Sequence, residues 1–152
     1  MPAHHQPGRD LARLKDRPTW LISRAFARSS GLLKAGFEAS GGGLRGYHYR
    51  LLAALEEWGP ASQADLGRST GIDRSDVTAT LAELESRSLI ERTVDPANMR
   101  RNIVTLTPEG VGQLQQLDIV VGAIQDEVLA PLTAPQRRQF IALISRLLGD
   151  PL

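Results

Sequence analysis

Apolar residues recur at helical spacing through most of the chain and alternate with polar residues only over a short stretch past its middle. The first predicted helix has Thr19 as its expected N-cap and ends at Gly41-Gly42-Gly43, because three consecutive glycines are costly to hold in a helix. Its apolar stripe consists of Leu21, Ile22, Ala25, Phe26, Leu32, Leu33 and Phe37. A second amphipathic helix is predicted to end at Gly59-Pro60, and its apolar face consists of Leu44, His48, Leu51, Leu52, Leu55 and Trp58.

Two shorter helices are predicted after Pro60. The segment Ser62-Gln-Ala-Asp65 fits a capping box that opens the first of them, which is expected to run through Ser69. Gly71 suits a left-handed turn, and Asp73 is the expected N-cap of the second helix. That helix carries Val77, Leu81 and Leu84 at helical spacing. A short helix, a glycine turn and a second helix are typical of a helix-turn-helix.

The pattern then changes to that of β-strands. Leu89–Val94 and Asn102–Thr107 are rich in β-branched residues and are predicted to be strands. The segment Asp95–Arg101 between them is longer than a two-residue turn, and it places Arg100 and Arg101 at the tip of the predicted hairpin. A hairpin with a basic tip directly after a helix-turn-helix is typical of a wing.

Two more amphipathic helices are predicted at the end of the chain. Pro108 and Glu109 after Thr107 indicate a helix start, and this helix is expected to continue to Pro131. Thr133-Ala-Pro-Gln136 is predicted to cap a last helix that stops at Gly149-Asp-Pro151. The expected fold class is therefore mainly α with a small β-hairpin (α+β).

Composition narrows the classes of protein. The 152 residues are 41% hydrophobic and 23% charged, which is enough apolar content for one domain with a packed core. The chain has no cysteine, which excludes disulfide scaffolds, cysteine-based zinc sites, Fe–S clusters and cysteine nucleophiles. His4 and His5 have no third ligand near them in the sequence, so no metal or other cofactor is expected. Neither a membrane span nor a signal peptide is apparent, and a soluble cytoplasmic protein is expected.

The net charge of +1 hides an uneven distribution of charge. Residues 1–50 carry nine bases and three acids, whereas residues 51–91 carry three bases and eight acids. The protein is therefore not basic throughout, as a non-specific nucleic-acid wrapper would be, and the skew alone does not identify a partner.

The order of four helices, strand, wing, strand and two helices resembles the MarR family (multiple-antibiotic-resistance-type transcriptional regulators). The resemblance covers Leu21 to Leu148, and its best-matching stretches are Gly59–Leu66, Leu81–Glu85 leading into Leu89–Arg92, and Asp95–Arg101 leading to Val104–Gly110. It implies a winged helix-turn-helix flanked by N- and C-terminal dimerisation helices. The expected parts are a mobile tail (residues 1–17), an N-terminal dimerisation helix (18–43), a winged helix-turn-helix DNA-binding domain (44–107) and C-terminal dimerisation helices (108–152).

The face of the second motif helix that is expected to read DNA is small and uncharged. When Val77, Leu81 and Leu84 are buried, helical geometry turns the intervening positions outward. Hydroxyl and methyl groups there suit base edges and thymine methyls, and Arg74 is expected to make a bidentate guanine contact. Arg100 and Arg101 on the wing are expected to meet phosphates or the minor groove. The predicted DNA-binding residues are Ser62, Gln63, Arg74, Ser75, Thr78, Ala79, Ala82, Arg100 and Arg101.

Three positions depart from the family pattern. The family usually has Asp-Arg where this chain has Asn98-Met99, often an acid where it has Ala82, and often an arginine where it has Ala79. The acid–arginine pair that steadies the family's wing is therefore expected to be absent, and Arg100 is expected to be loosely held.

The flanking amphipathic helices predict a partner and a ligand site. Their apolar stripes need to be covered, and a second copy of the chain would build a homodimer with two DNA-reading heads. In the family, small molecules, often aromatic acids, bind between the dimerisation helices and the DNA-reading head. The resemblance implies a similar site for an aromatic or phenolic ligand, with Trp20, Arg24, Tyr47, His48 and Tyr49 as the candidate lining. For His48, a buried core histidine is the competing interpretation.

The favoured function is a ligand-responsive homodimeric repressor that binds double-stranded DNA sequence-specifically at a short palindromic operator. The alternative is a winged helix that serves as a protein–protein interaction module without sequence-specific DNA binding, which fits the acidic residues 51–91. The wing arginines and the absence of aromatic anchors on the predicted reading face favour the DNA-binding function. An enzyme is not expected, because no glycine-rich phosphate loop follows a strand and no Ser/His/Asp set is discernible.

Overall fold

A computed structural model describes residues 11–149 of the chain. Most of the expected mobile tail, with His4 and His5, lies outside the described residues, as do residues 150–152. The elements are α1 (Pro18–Ser40), α2 (Gly46–Trp58), β1 (Ala61–Ser62), α3 (Gln63–Thr70), α4 (Arg74–Ser86), β2 (Ile90–Asp95), β3 (Asn98–Leu106), α5 (Pro108–Val128) and α6 (Ala134–Leu148). The expected class, mainly α with a small β-hairpin, is confirmed.

Helix α1 begins earlier than its sequence pattern predicts. Pro18 occupies the first turn, where its fixed φ suits a helix start, and the extended Arg17 is the N-cap. The predicted cap at Thr19 is therefore wrong. The predicted end is confirmed, because Gly42 and Gly43 have φ of 62° and 87°, a region that side chains with a Cβ rarely adopt.

Helices α3 and α4 form the predicted helix-turn-helix. The Ser62 hydroxyl accepts a hydrogen bond from the Asp65 amide at 3.2 Å, which caps α3. Gly71 has a φ of 68° at the turn, and Asp73 stands at the N-cap of α4, although its side chain makes no capping hydrogen bond. The predicted inner face of α4 is confirmed, since Val77, Leu81 and Leu84 are buried there.

Three antiparallel strands follow the order β1-β3-β2, and two of their features differ from the prediction. The two-residue strand β1, too short to leave a pattern in the sequence, pairs with Val104 and Ile103. The predicted long loop is also wrong, because Asp95 pairs with Asn98 across a two-residue turn. The register then jumps to Val94 opposite Asn102, so residues 99–101 form a bulge on β3. We call the β2–β3 hairpin, residues 90–106, the wing.

The hydrophobic core lies where α2, α4, α5 and the sheet meet. Thr107 links these elements, since its hydroxyl caps α5 through the Gly110 amide at 3.0 Å and donates to the Ser88 carbonyl at 2.7 Å. Helices α1 and α5 pack closely, and a Cβ at Gly36 would lie 2.5 Å from the Ile124 side chain. The largest fully buried side chains are Leu44, Leu51, Leu52, Leu55, Leu66, Leu81, Leu84, Ile90, Leu117, His48, Val77 and Val104.

Helix α6 differs from the other long helices. Thr133 and Gln136 form the predicted capping box, so its start is well defined. Nevertheless, none of its 15 residues is buried against the rest of the described chain. Within residues 11–149, no helix is both long enough and apolar enough to cross a membrane.

Candidate nucleic-acid interface

A cleft of about 670 Å³ lies between the helix-turn-helix and strand β3 of the wing. Four arginines lie in its walls, and we call it the arginine cleft. Its lining comes from α3, the turn before α4, the start of α4 and β3, and comprises Ser62, Gln63, Ala64, Gly67, Arg68, Ile72, Asp73, Arg74, Val77, Arg100, Arg101 and Asn102. The tertiary structure thus brings Arg74, Arg100 and Arg101 of the predicted DNA-binding set to one concave surface.

The four arginines of the arginine cleft differ in how they are paired. Arg68 forms an ion pair with Asp65, and Arg101 lies 3.8 Å from the Asp95 carboxylate. The Ser62 hydrogen bond is the largest influence that holds the pKa of Asp65 below its ordinary value, and the Arg68 charge acts in the same direction. Within residues 11–149, neither Arg74 nor Arg100 has an ion-pair partner. These two guanidinium groups are therefore free to take a phosphate or a base.

The outer face of α4 exposes the residues that the sequence places there, namely Arg74, Ser75, Thr78, Ala79 and Ala82. Among the described residues, only the Thr78 side chain of this set makes a hydrogen bond. The Thr78 hydroxyl donates to the Arg74 carbonyl at 3.0 Å and accepts from the Gln63 side-chain amide at 3.0 Å. The hydroxyl proton of Thr78 is therefore already used within α4. Thr78 can still offer DNA its methyl group and one lone pair of the hydroxyl oxygen.

Ser62 and Gln63 line the arginine cleft, but their side chains are already engaged within the motif. Ser62 is 5% exposed and caps α3, so the structure gives it a role in holding the helix start. Gln63 bridges from α3 to Thr78 on α4, and its Oε1 is buried without a hydrogen-bond partner among the described residues. Ser62 therefore fixes the start of α3, and Gln63 ties α3 to α4.

The wing is joined to α4 by an ion pair that differs from the one usual in the family. Arg92 on β2 donates two hydrogen bonds of 3.1 Å to the Glu85 carboxylate near the end of α4. This pair lowers the pKa of Glu85 and raises the pKa of Arg92, because each charge favours the other. This is not the family's pair, since positions 82 and 99 are alanine and methionine, but a different acid–arginine pair that joins the wing to α4. It lies between Glu85 and Arg92 instead of at Ala82.

Arg100 and Arg101 lie in the bulge of β3 and not at the turn itself. Two side chains hold this bulge in shape. The Asp95 carboxylate accepts from the Ala97 amide at 2.9 Å, and the Asn98 side chain accepts from the Arg100 amide at 3.1 Å. The backbone beneath Arg100 is thus fixed, whereas its side chain remains exposed.

A second cleft, of about 440 Å³, lies between α1, α2 and α4, and we call it the aromatic cleft. It contains Tyr47 and His48 from the predicted ligand-binding set. Its full lining is Leu33, Lys34, Phe37, Glu38, Arg45, Gly46, Tyr47, His48, Arg50, Asp76, Ala79, Thr80 and Glu83. Four of these residues belong to α4, so one wall of the cleft is the helix that faces DNA.

The other three predicted ligand-binding residues lie elsewhere in the chain. Trp20 and Arg24 are near the start of α1, where the guanidinium lies 5.8 Å from the ring centre. Arg24 precedes the cleft residue Lys34 by ten positions, or about 15 Å along the helix axis. The Tyr49 hydroxyl donates to Asp118 on α5 at 2.8 Å, and burial and this contact raise the pKa of Tyr49. These three residues do not line the aromatic cleft of their own chain.

His48 connects the wall of the aromatic cleft to α4. It is 1% exposed, and its Nδ1 accepts from the Arg45 amide at 2.9 Å while its Nε2 lies 2.6 Å from a Glu83 carboxylate oxygen. Nε2 therefore carries the proton and donates it to Glu83. Burial holds the pKa of His48 below its ordinary value. The histidine is thus both a buried core residue and a side chain of the cleft wall. Sequence reasoning missed Glu83, which lies 35 positions away.

Comparisons with known proteins agree with this arrangement. A family model described as MarR family matches residues 47–101. The chain is 26% identical over 130 residues to the HTH-type transcriptional repressor NicR of Pseudomonas putida, a match that covers 86% of this chain and 81% of that protein.

Solved structures resemble nearly the whole fold. A probable transcriptional regulator from Pseudomonas aeruginosa is 32% identical with a TM-score of 0.77, covering 89% of this chain and 99% of that one. BpsR of Bordetella bronchiseptica, studied for the regulation of its DNA binding by 6-hydroxynicotinic acid, is 26% identical with a TM-score of 0.73, covering 86% and 96% of the two chains. The protein belongs to the MarR family and is a DNA-binding regulator of transcription rather than an enzyme.

Proposed function

We propose that the protein is a homodimeric repressor that binds a short palindromic operator and responds to a small aromatic or phenolic acid. The observation that carries the DNA-binding part is the arginine cleft, where two unpaired guanidinium groups flank an outer helix face of small side chains. Because its target is DNA, we place the protein in the cytoplasm.

In this proposal helix α4 contacts the bases, and the wing contacts the DNA backbone or the minor groove. Arg74 at the start of α4 reads a guanine in the major groove, and Ser75, Thr78, Ala79 and Ala82 let the helix approach the bases closely. Arg100 and Arg101 bind phosphates or the adjacent minor groove. Ser62 caps α3, and Gln63 holds α4 against it.

DNA binding is tested by titrating the protein with the DNA upstream of its own gene and with a shuffled sequence of equal length. We expect tighter binding to the upstream DNA, with an affinity that falls as salt rises because bound phosphates release counterions. Equal affinity for both sequences across the salt series would contradict an operator-binding role and would favour the protein–protein module.

The dimer is proposed from the apolar side chains that α1 and α6 leave exposed. These nine are Leu21, Ile22, Phe26, Phe140, Ile141, Leu143, Ile144, Leu147 and Leu148. Burying a fully exposed side chain of this kind is worth about 1.5–3 kcal/mol, and these nine are on average about half exposed, so the set provides on the order of 8–15 kcal/mol per protomer. Association costs about 4–15 kcal/mol, so a second copy covering these faces is favoured. Residues 18–43 and 108–152 then act as dimerisation helices on either side of the DNA-binding domain.

Sedimentation analysis of two charged variants tests this interface. Leu147→Glu places a carboxylate on the exposed apolar face of α6, and we expect it to shift the protein toward a monomer. The matched control is Arg138→Glu, which changes the charge on the other side of the same helix and should remain dimeric. A dimeric Leu147→Glu protein would show that α6 does not form the interface.

The ligand is proposed from the chemistry of the aromatic cleft. Phe37, Tyr47 and His48 provide ring surfaces, while Lys34 and Arg45 provide cations for a carboxylate. The regulation of BpsR by 6-hydroxynicotinic acid supports an aromatic acid as the class of ligand. Since α4 forms one wall, a ligand that widens the cleft would displace the helix that reads DNA.

Thermal-shift titration with benzoate, 4-hydroxybenzoate and 6-hydroxynicotinate tests the ligand site. We expect at least one acid to raise the melting temperature and to weaken operator binding. Arg45→Gln should reduce that shift, whereas Arg24→Gln, outside the cleft, should leave it unchanged. Equal shifts in both variants would place the ligand elsewhere.

A further inference from the structure

Met99 is an apolar side chain presented to solvent in the bulge of the wing. Its exposed fraction is 77%, the highest among the large apolar side chains of residues 11–149. The chain contains only two methionines and no cysteine, so Met99 carries its single sulfur atom apart from Met1. Exposed in this way, the side chain adds little to the stability of the fold.

The hydrogen bonds of the hairpin hold Met99 in this exposed position. Asp95 and Asn98 fix the turn and the backbone next to Met99 through the amides of Ala97 and Arg100. The Arg101 side chain is drawn toward Asp95, at 3.8 Å. Polar side chains therefore shape the bulge, and the apolar side chain of Met99 projects from it.

The surroundings of Met99 indicate which partner it meets. Arg100, Arg101 and Asn102, which follow Met99 directly on β3, line the arginine cleft. A surface of this charge suits a polyanion rather than an apolar protein patch. We therefore expect the exposed Met99 to contact DNA when the wing binds it.

We propose that Met99 enters the minor groove beside Arg100 as an apolar wedge and partly unstacks one base step. Methionine is flexible and fills irregular gaps, and apolar wedges are a known way of kinking DNA from the minor groove. The proposal rests on the proposed operator binding and concerns which step the wing accepts.

The balance of two effects makes Met99 a determinant of specificity. Removing the methionine from water favours insertion, and unstacking a base step opposes it by a similar amount. The deformability of the step therefore decides the outcome. Pyrimidine–purine steps kink easily, whereas A-tracts are stiff. We expect the protein to prefer a TA step under the wing over an AA step by at least about fivefold.

The test begins with an operator selected from random DNA by the wild-type protein, with the wing position located by hydroxyl-radical footprinting. Two versions are made that differ only in the TA or AA step at that position. Affinity is measured by fluorescence anisotropy, and unstacking is measured by the fluorescence of 2-aminopurine placed at the step.

Four variants separate the wedge from other roles of the wing. Met99→Ala should lose the TA preference and the 2-aminopurine signal, while Met99→Leu should keep both. Val94→Ala removes another exposed apolar side chain of the same hairpin and should behave as the wild type. Arg100→Ala should weaken binding to both versions alike. Retention of the preference and the signal in Met99→Ala would overturn the wedge while leaving operator binding intact. A wild-type protein that selects no sequence would instead overturn the proposed operator binding.

Oxidation provides a second readout in the same folded protein. Hydrogen peroxide transfers one oxygen atom to the methionine sulfur, giving the sulfoxide and water, and makes the side chain polar. We expect the oxidised wild type to lose its TA preference and oxidised Met99→Leu to keep it. An oxidised wild type with unchanged preference would count against the wedge.

Discussion

Removal of the Arg100 side chain tests the wing most directly. Arg100 is exposed, and within residues 11–149 it has no ion-pair partner, so Arg100→Ala should leave the fold unchanged. The comparison variant is Arg101→Ala, because Arg101 is one residue away but lies 3.8 Å from the Asp95 carboxylate.

The expected loss of affinity is the free energy of the Arg100 contact with DNA minus the cost of ordering its side chain. A charged hydrogen bond is worth about 1.5–3 kcal/mol, and ordering an arginine side chain costs up to about 2 kcal/mol, which leaves about 1 kcal/mol per wing. The proposed dimer would bind with two wings, so Arg100→Ala should weaken operator binding by roughly thirtyfold. Each phosphate contact contributes about 0.9 to the slope of log K against log salt, so the slope should fall by about 1.8.

Arg101→Ala should have a smaller effect on the operator affinity and on its salt dependence. Its charge is already partly compensated by Asp95, and it must weaken that pair before it can bind a phosphate. We expect a loss of about threefold in affinity, because the net gain per contact is reduced.

Anisotropy titrations across a salt series, with thermal melts as the control for folding, measure these differences. Equal losses in the two variants would show that pairing with Asp95 does not govern the wing. Unchanged affinity and slope in Arg100→Ala would show that the wing does not touch DNA.

Three further predictions concern the reading helix, the packing of α5 and the buried histidine. Arg74→Ala should lower the affinity for each half-site by about 1–3 kcal/mol while barely changing binding to random DNA, and equal losses on both would assign Arg74 to phosphate. Gly110→Ala should destabilise the fold by about 1–3 kcal/mol or more, because its Cβ would lie 2.2 Å from the Leu89 carbonyl oxygen. Gly112→Ala, which meets nothing within 4 Å, is the control in urea unfolding, and matching stabilities would contradict this packing. The pKa of His48 is lowered by burial from 6.5, so the unfolded state binds its proton more tightly, and stability should fall as the pH drops below about 6.5. In His48→Gln, the slope of the free energy of unfolding against pH should be smaller by up to about 1.4 kcal/mol per pH unit between pH 7.5 and 5.5. An unchanged slope would show that another group causes the pH dependence.

The sequence by itself determined the elements that depend on local interactions. Helix α5 begins at Pro108 as predicted, Thr133 caps α6 as predicted, and the glycine at position 71 turns the chain between α3 and α4. Each of these features depends on a residue and the next three or four positions. The inner face of α4 was also predictable, because burial of Val77 and Leu84 follows from helical periodicity. The error at Thr19 is local too, since Pro18 is a competing start signal one residue earlier.

Only the tertiary structure decided how distant residues pair. The bulge at residues 99–101 is set by the register in which β3 pairs with β2. Arg92 reaches Glu85 because the hairpin folds back along α4.

The tertiary structure also decided which residues line the aromatic cleft. His48 meets Glu83 because α2 crosses α4, whereas Trp20 and Arg24 are kept away by the length of a straight helix. Caps and periodicity act over a few residues and can be read along the chain. The partners of a side chain on another element depend on how whole helices and strands pack, which the local pattern does not specify.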